Sequence, residues 1–127
     1  MAAITLDEGV YQGRNEFPIA AGAGEFFQNN AVGMDAATGR ARPLVAADEF
    51  LGFAEAGRSL AAGDTKVRTK SAKLFLLNVP GYVETDGRVN VYASGPATFT
   101  KTSAGNSLVG KCHRFDRADW VWVRVDV

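Results

Sequence analysis

The single cysteine and the single histidine of this 127-residue chain are neighbours, Cys112 and His113, at the end of the run "AGNSLVGKCH". A thiol activated by an imidazole needs the two side chains within hydrogen-bond reach. Neighbours on a strand point to opposite faces, so a strand here would keep them from pairing directly. A metal centre recruits three or four ligands; with one cysteine and one histidine the rest must be carboxylates, and no ligand spacing supplies them. Carboxylates do pair at Asp7-Glu8, at Asp48-Glu49, and at Asp116 with Asp119. Glycoside hydrolysis needs two across a cleft, whereas each of these pairs falls in an expected turn or in the N-terminal stretch. Gly22-Ala23-Gly24 lacks the spacing of a dinucleotide fingerprint, and no phosphate-loop lysine follows it. These residue types point to no enzyme, no metal and no cofactor.

One concentration of charge remains: Lys66, Arg68, Lys70 and Lys73. The first three alternate with Val67, Thr69 and Ser71, as a strand with one solvated face does. The functional alternative is a docking face for an acidic partner surface. Over the whole chain 14 basic residues balance 14 acidic ones, which gives no basic footprint for nucleic acid. A net charge of zero favours association. No apolar run approaches the roughly 20 residues a membrane-spanning helix requires. "MAAITLDEGV" has no basic stretch leading into an apolar one, so no secretion signal is expected.

The elements that must position these residues read as short strands. Apolar runs rich in Val, Phe, Leu and Thr are punctuated by glycine, and helical periodicity is scarce. An all-β domain is expected, with at most a short helix in Asp48–Ala56 or Ser59–Gly63. Residues 1–18 read as an extended N-terminal arm and residues 19–127 as a single β domain. In "WVWVRVDV" the alternation places Val121, Val123, Val125 and Val127 toward a core and Trp120, Trp122 and Arg124 on the other face. Leu74–Leu77 is apolar at every position and is expected to be covered on both faces. Asp86-Gly87 marks a turn.

Two stretches share a pattern. Ala31–Ala56 and Asn90–Phe115 each run from an apolar strand through a small-residue turn and an extended stretch to a large apolar pair and a glycine. Those ends are Phe50-Leu51-Gly52 and Leu108-Val109-Gly110, at an offset of about 58 residues with one gap near the first turn. The pairing sets Cys112 opposite Ala54 and His113 opposite Glu55. Phe50, Gly52, Ala54 and Ala56 are expected on one face, matched by Leu108, Gly110 and Cys112. Cys112 then reads as a small core residue and His113 as a surface or interface residue. Two such units suit a small β-barrel or β-tulip-like domain.

"FLGFAEAG", "VYAS…FTKT…GNSLVGK" and "VWVRVDV", within a pattern from about Ile19 to Val127, resemble the capsid cement, or decoration, proteins of tailed bacteriophages. Two departures from that pattern are Cys112-His113 after "LVGK" and the tryptophans of the terminal strand. The resemblance implies a structural virion protein on the outer surface of the expanded phage head, made in the bacterial cytoplasm. Its partner would be the major capsid protein. It implies a homo-oligomer as well, a trimer first and a dimer second. Leu6, Val10, Tyr11 and Phe17 are then the arm's apolar anchors, and Trp120, Trp122, Lys66, Arg68 and Lys70 the other candidate contacts. A tail-tube or head–tail connector subunit is the next reading. A sugar-binding β-barrel, stacking sugars on Trp120, Trp122 and Tyr92, is the third.

Overall fold

The computed structural model describes residues 16–70 and 73–125. These form strands β1 (Glu16–Pro18), β2 (Ala31–Asp35), β3 (Arg40–Pro43), β4 (Glu49–Phe53), β5 (Lys66–Arg68), β6 (Leu74–Asn78), β7 (Asn90–Ala93), β8 (Phe99–Thr100), β9 (Ser107–Arg117) and β10 (Trp120–Val125). Among the described residues helix is confined to two single 3-10 turns, Leu60–Ala62 and Glu84–Asp86. The first falls inside Ser59–Gly63, where Ser59 Oγ accepts from the Ala62 N–H at 3.1 Å. The Asp48–Ala56 window holds β4 instead.

Three antiparallel sheets result, with strand orders β6-β10-β9-β7-β8, β3-β2-β4 and β1-β5. A bridge at Ala54 and Thr69 connects β4 to the chain just beyond β5. It is flanked by Glu55 N–H donating to Arg68 O at 2.8 Å and Lys70 N–H to Phe53 O at 2.9 Å. Across that bridge the order in the first half is β1-β5-β4-β2-β3. The second half repeats it as β6-β10-β9-β7-β8.

The register repeats too. Val32 lies opposite Gly52 and Gly33 opposite Phe50, so Leu51 is an extra, bulged residue. Val91 lies opposite Gly110 and Tyr92 opposite Leu108, so Val109 is the extra residue at the matching place. A bulge moves the chain beyond it to the other face. Phe50 and Ala54 therefore lie on different faces, not the shared one expected, and Leu108 is likewise separated from Cys112. Leu108 is 54% exposed, while Val109 and Cys112 are buried.

The core follows from these faces. Ile19, Phe26, Val32, Ala41, Leu51, Ala54 and Val67 form one cluster, entirely from the first half. The second cluster joins Val79, Tyr82, Val91, Phe99, Val109, Cys112, Val121, Val123 and Val125 to Ala31, Leu44, Phe50 and Phe53. The inward face of the second half thus packs on the outward face of the first. Phe53 is the pivot: its ring lies 5.1, 4.5 and 5.9 Å from those of Phe50, Phe75 and Phe99. Buried aromatic pairs of this kind add about 0.5–1.5 kcal/mol each beyond their buried area.

The terminal strand behaves as its alternation dictates, with Val121, Val123 and Val125 buried and Trp120, Trp122 and Arg124 facing outward. Its hairpin turn is tied down by Asp119, a residue type that tolerates the left-handed region and here has φ 69°. Asp119 O accepts from Val79 N–H at 2.7 Å and its Oδ1 from Gly81 N–H at 2.9 Å. Leu74–Leu77 departs from expectation. β6 is an edge strand, Leu77 is buried, Phe75 and Leu76 are half-buried, and Leu74 is 43% exposed. Only its inward face is covered.

Candidate interaction surface

The outward face of the second half is built by register. Trp120 stands opposite Arg117, and Trp122 opposite Arg114 on one side and Leu76 on the other. Each guanidinium lies over the indole it faces, Arg114 at 5.2 Å from the Trp122 ring and Arg117 at 5.1 Å from that of Trp120. Such contacts are worth about 0.5–1 kcal/mol at exposed sites. Trp122 Nε1 donates to Asp116 Oδ1 at 3.3 Å, and Asp116 also pairs with Arg117. Both β9 irregularities opposite β10 are needed for this. His113 and Asp116 are the extra residues there, and they bring Arg114 and Arg117 across from the two indoles. Leu108 and Tyr92 continue the same face on β9 and β7. The result is a half-apolar, half-cationic plane, with one face of each indole held by a cation.

The arginines escaped sequence reasoning because their pairing with the tryptophans depends on the tight turn at residues 118–119 and on both bulges. The turn alone was within reach, since an Ala-Asp pair separates the two runs.

Lys66 and Arg68 project outward as expected, alternating with buried Val67 and Thr69. They face Glu16 of β1, Lys66 Nζ at 3.7 Å and Arg68 Nη2 at 3.3 Å. One carboxylate therefore offsets much of the charge of this strand, and Lys70 is half-buried beyond it. Phe17, expected as an arm anchor, lies in β1 opposite Val67 and packs against the first half's own cluster. Leu6, Val10, Tyr11 and Val127 lie outside the described residues.

Cys112 is a free, buried thiol, as its alignment with Ala54 led one to expect. It adjoins Tyr82, whose buried hydroxyl donates to Gly87 O. Burial, with the neighbouring thiol, pushes the pKa of that hydroxyl well up. His113, the bulged residue, is half-buried, and the two side chains line one cavity of about 170 Å³ with Arg88, Lys111 and Arg124. The charged groups that converge on it are cations. Among the described residues no group of three His, Cys, Asp or Glu side chains gathers as metal ligands do, and no helix is long and apolar enough to cross a membrane. No protein-family model, no curated protein and no solved structure matches the chain.

Proposed function

We propose that the protein is a non-catalytic structural subunit that binds the outer surface of an expanded phage head and stabilises its lattice. The observation that carries this reading is the outward indole–guanidinium face of β9 and β10. Tryptophan and arginine are the residues most enriched at the energetic centres of protein interfaces. The equivalent face of the first half, with Phe50 and Phe53, is buried beneath the second half, which supports reading the free one as a contact surface. Binding to the assembled lattice and not to its separate parts stabilises the lattice by mass action. If the contact exists only after expansion, binding also holds the expanded state.

In the same reading the domain is a small barrel of two related β units. The shared strand order and bulge support this, as does a parallel bridge from Ile19 to Ala41 that brings the end of β1 against β3. A homotrimer on the head surface, with the major capsid protein as partner, completes the proposal.

The test is sedimentation with purified expanded heads made from the cognate capsid protein. Saturable binding is expected, weakened about tenfold or more in the double variant Trp120→Ala/Trp122→Ala. Absence of saturable binding to such heads overturns the reading. Removal of residues 1–15, the arm short of β1, is expected to weaken head binding while leaving the thermal transition in place.

A further inference from the structure

The cavity lined by Cys112 and His113 has no part in the reading above, and its charged lining is one-sided. Lys111 and Arg124 are directly opposite each other in the β9–β10 register. Like charges so placed repel and destabilise a sheet. Cys112 N–H donates to Val89 O at 3.0 Å, and Asn90 stands opposite Lys111. That pairing sets Arg88, just before β7, beside the same stretch of β9. His113 is carried there by its bulge, a device that re-aims a side chain. All four cationic or imidazole groups line the one cavity, and no carboxylate does. Among the described residues, Arg88, Lys111 and Arg124 form no ion pair. Elsewhere among the described residues Arg42 pairs with Asp48, Lys66 and Arg68 with Glu16, Lys101 with Asp86 and Arg117 with Asp116, while Arg40, Arg58, Lys70 and Arg114 stand singly and apart from one another in sequence.

We infer that this cavity is an oxyanion site, in which Arg88, Lys111, His113 and Arg124 hold a phosphate or a carboxylate group. Its volume of about 170 Å³ is well below the roughly 300–1,000 Å³ of pockets for drug-sized ligands, so it suits a group of a few heavy atoms. Guanidinium groups recognise such planar or tetrahedral anions through paired, charge-assisted hydrogen bonds. A bound anion would also relieve the repulsion between Lys111 and Arg124.

Inorganic phosphate titrated into the 15N-labelled protein at constant ionic strength tests this, with acetate in a parallel arm. Saturable amide shifts are expected at Arg88, Lys111, Cys112, His113 and Arg124. In Lys111→Gln/Arg124→Gln the affinity is expected to fall by about tenfold or more, the loss of one or two charge-assisted bonds. Arg88→Gln, on a loop and independent of the sheet pairing, is expected to weaken binding in the same direction, and Arg40→Gln on β3 to leave it unchanged. Tighter binding of phosphate than acetate assigns the site to a phosphate group; the reverse assigns it to a carboxylate such as one borne by a partner protein. Shifts that grow linearly with both anions, or that persist unchanged in the Lys111 and Arg124 variant, overturn the site.

Discussion

At the scale of single residues, two glycines and two aspartates carry most of the local constraint. A β-carbon on Gly110 would sit 2.1 Å from the backbone oxygen of Arg124. One on Gly52 would sit 2.8 Å from Thr69 Cβ, at a backbone φ of 137°. Both glycines follow a bulge and let the next strand cross closely. Gly110→Ala and Gly52→Ala are each expected to cost about 1–3 kcal/mol or more, read as a lower urea midpoint. Ser107 is the opposite case. Its hydroxyl is buried with no hydrogen-bond partner among the described residues, so Ser107→Ala is expected to be neutral or to stabilise by about 1 kcal/mol. Burial of Asp48 opposes its charge, but the Arg42 fork at 2.9 and 2.7 Å and the Val45 N–H at 3.0 Å outweigh it. Asp86 is likewise lowered, by the Val83 N–H and then by Lys101. Both carboxyls thus lie below their ordinary 3.8 when folded. A lowered folded pKa gives stability that is whole above the unfolded value and lost as pH falls through the folded one. Urea midpoints are therefore expected to decline below pH 3.8, and less steeply in Asp48→Asn, which starts lower at neutral pH.

At the scale of elements, the unsatisfied arrangement is the Lys111–Arg124 pair. Lys111→Glu turns repulsion into attraction across the strands and is expected to stabilise by about 0.2–1 kcal/mol, measured by thermal unfolding in chloride without phosphate. β1 makes a second test. Its three residues pair with β5 and cover Val67, so a deletion running past Pro18 is expected to lower the melting temperature markedly, unlike one ending at residue 15. Much of this architecture was legible in advance. The valine alternation of β10 and the recurrence linking Ala31–Ala56 to Asn90–Phe115 are properties of residue order, and the folded chain keeps both. What stayed hidden depends on insertions of a single residue. Leu51, Val109, His113 and Asp116 are ordinary strand residues in composition, yet each shifts the chain beyond it to the other face. For that reason Phe50 and Leu108 were assigned to the wrong side. The indole–guanidinium stacks and the cationic cavity were invisible for the same cause, since both are assembled across strands by those shifts. β1 lies at the end of the stretch read as an arm, and a three-residue strand containing proline carries almost no alternation signal of its own.

At the scale of the molecule, the decisive contact is between halves. Phe53 belongs to β4 but fills the cluster of the second half. Phe53→Ala is expected to cost about 3–5 kcal/mol, as for other large aromatic deletions in a core, and to lower the stability of both halves together, seen as one shared transition by tryptophan fluorescence and far-ultraviolet dichroism. Among the described residues the first half is covered on both faces and the second on one. Layers laid back to front leave an end of the pile bare unless the arrangement closes into a ring. Here that end is the plane of Trp120 and Trp122. Because folding makes little demand on it, substitutions there can accumulate while the buried layers stay fixed, and the same scaffold can be refitted to a new surface without being rebuilt.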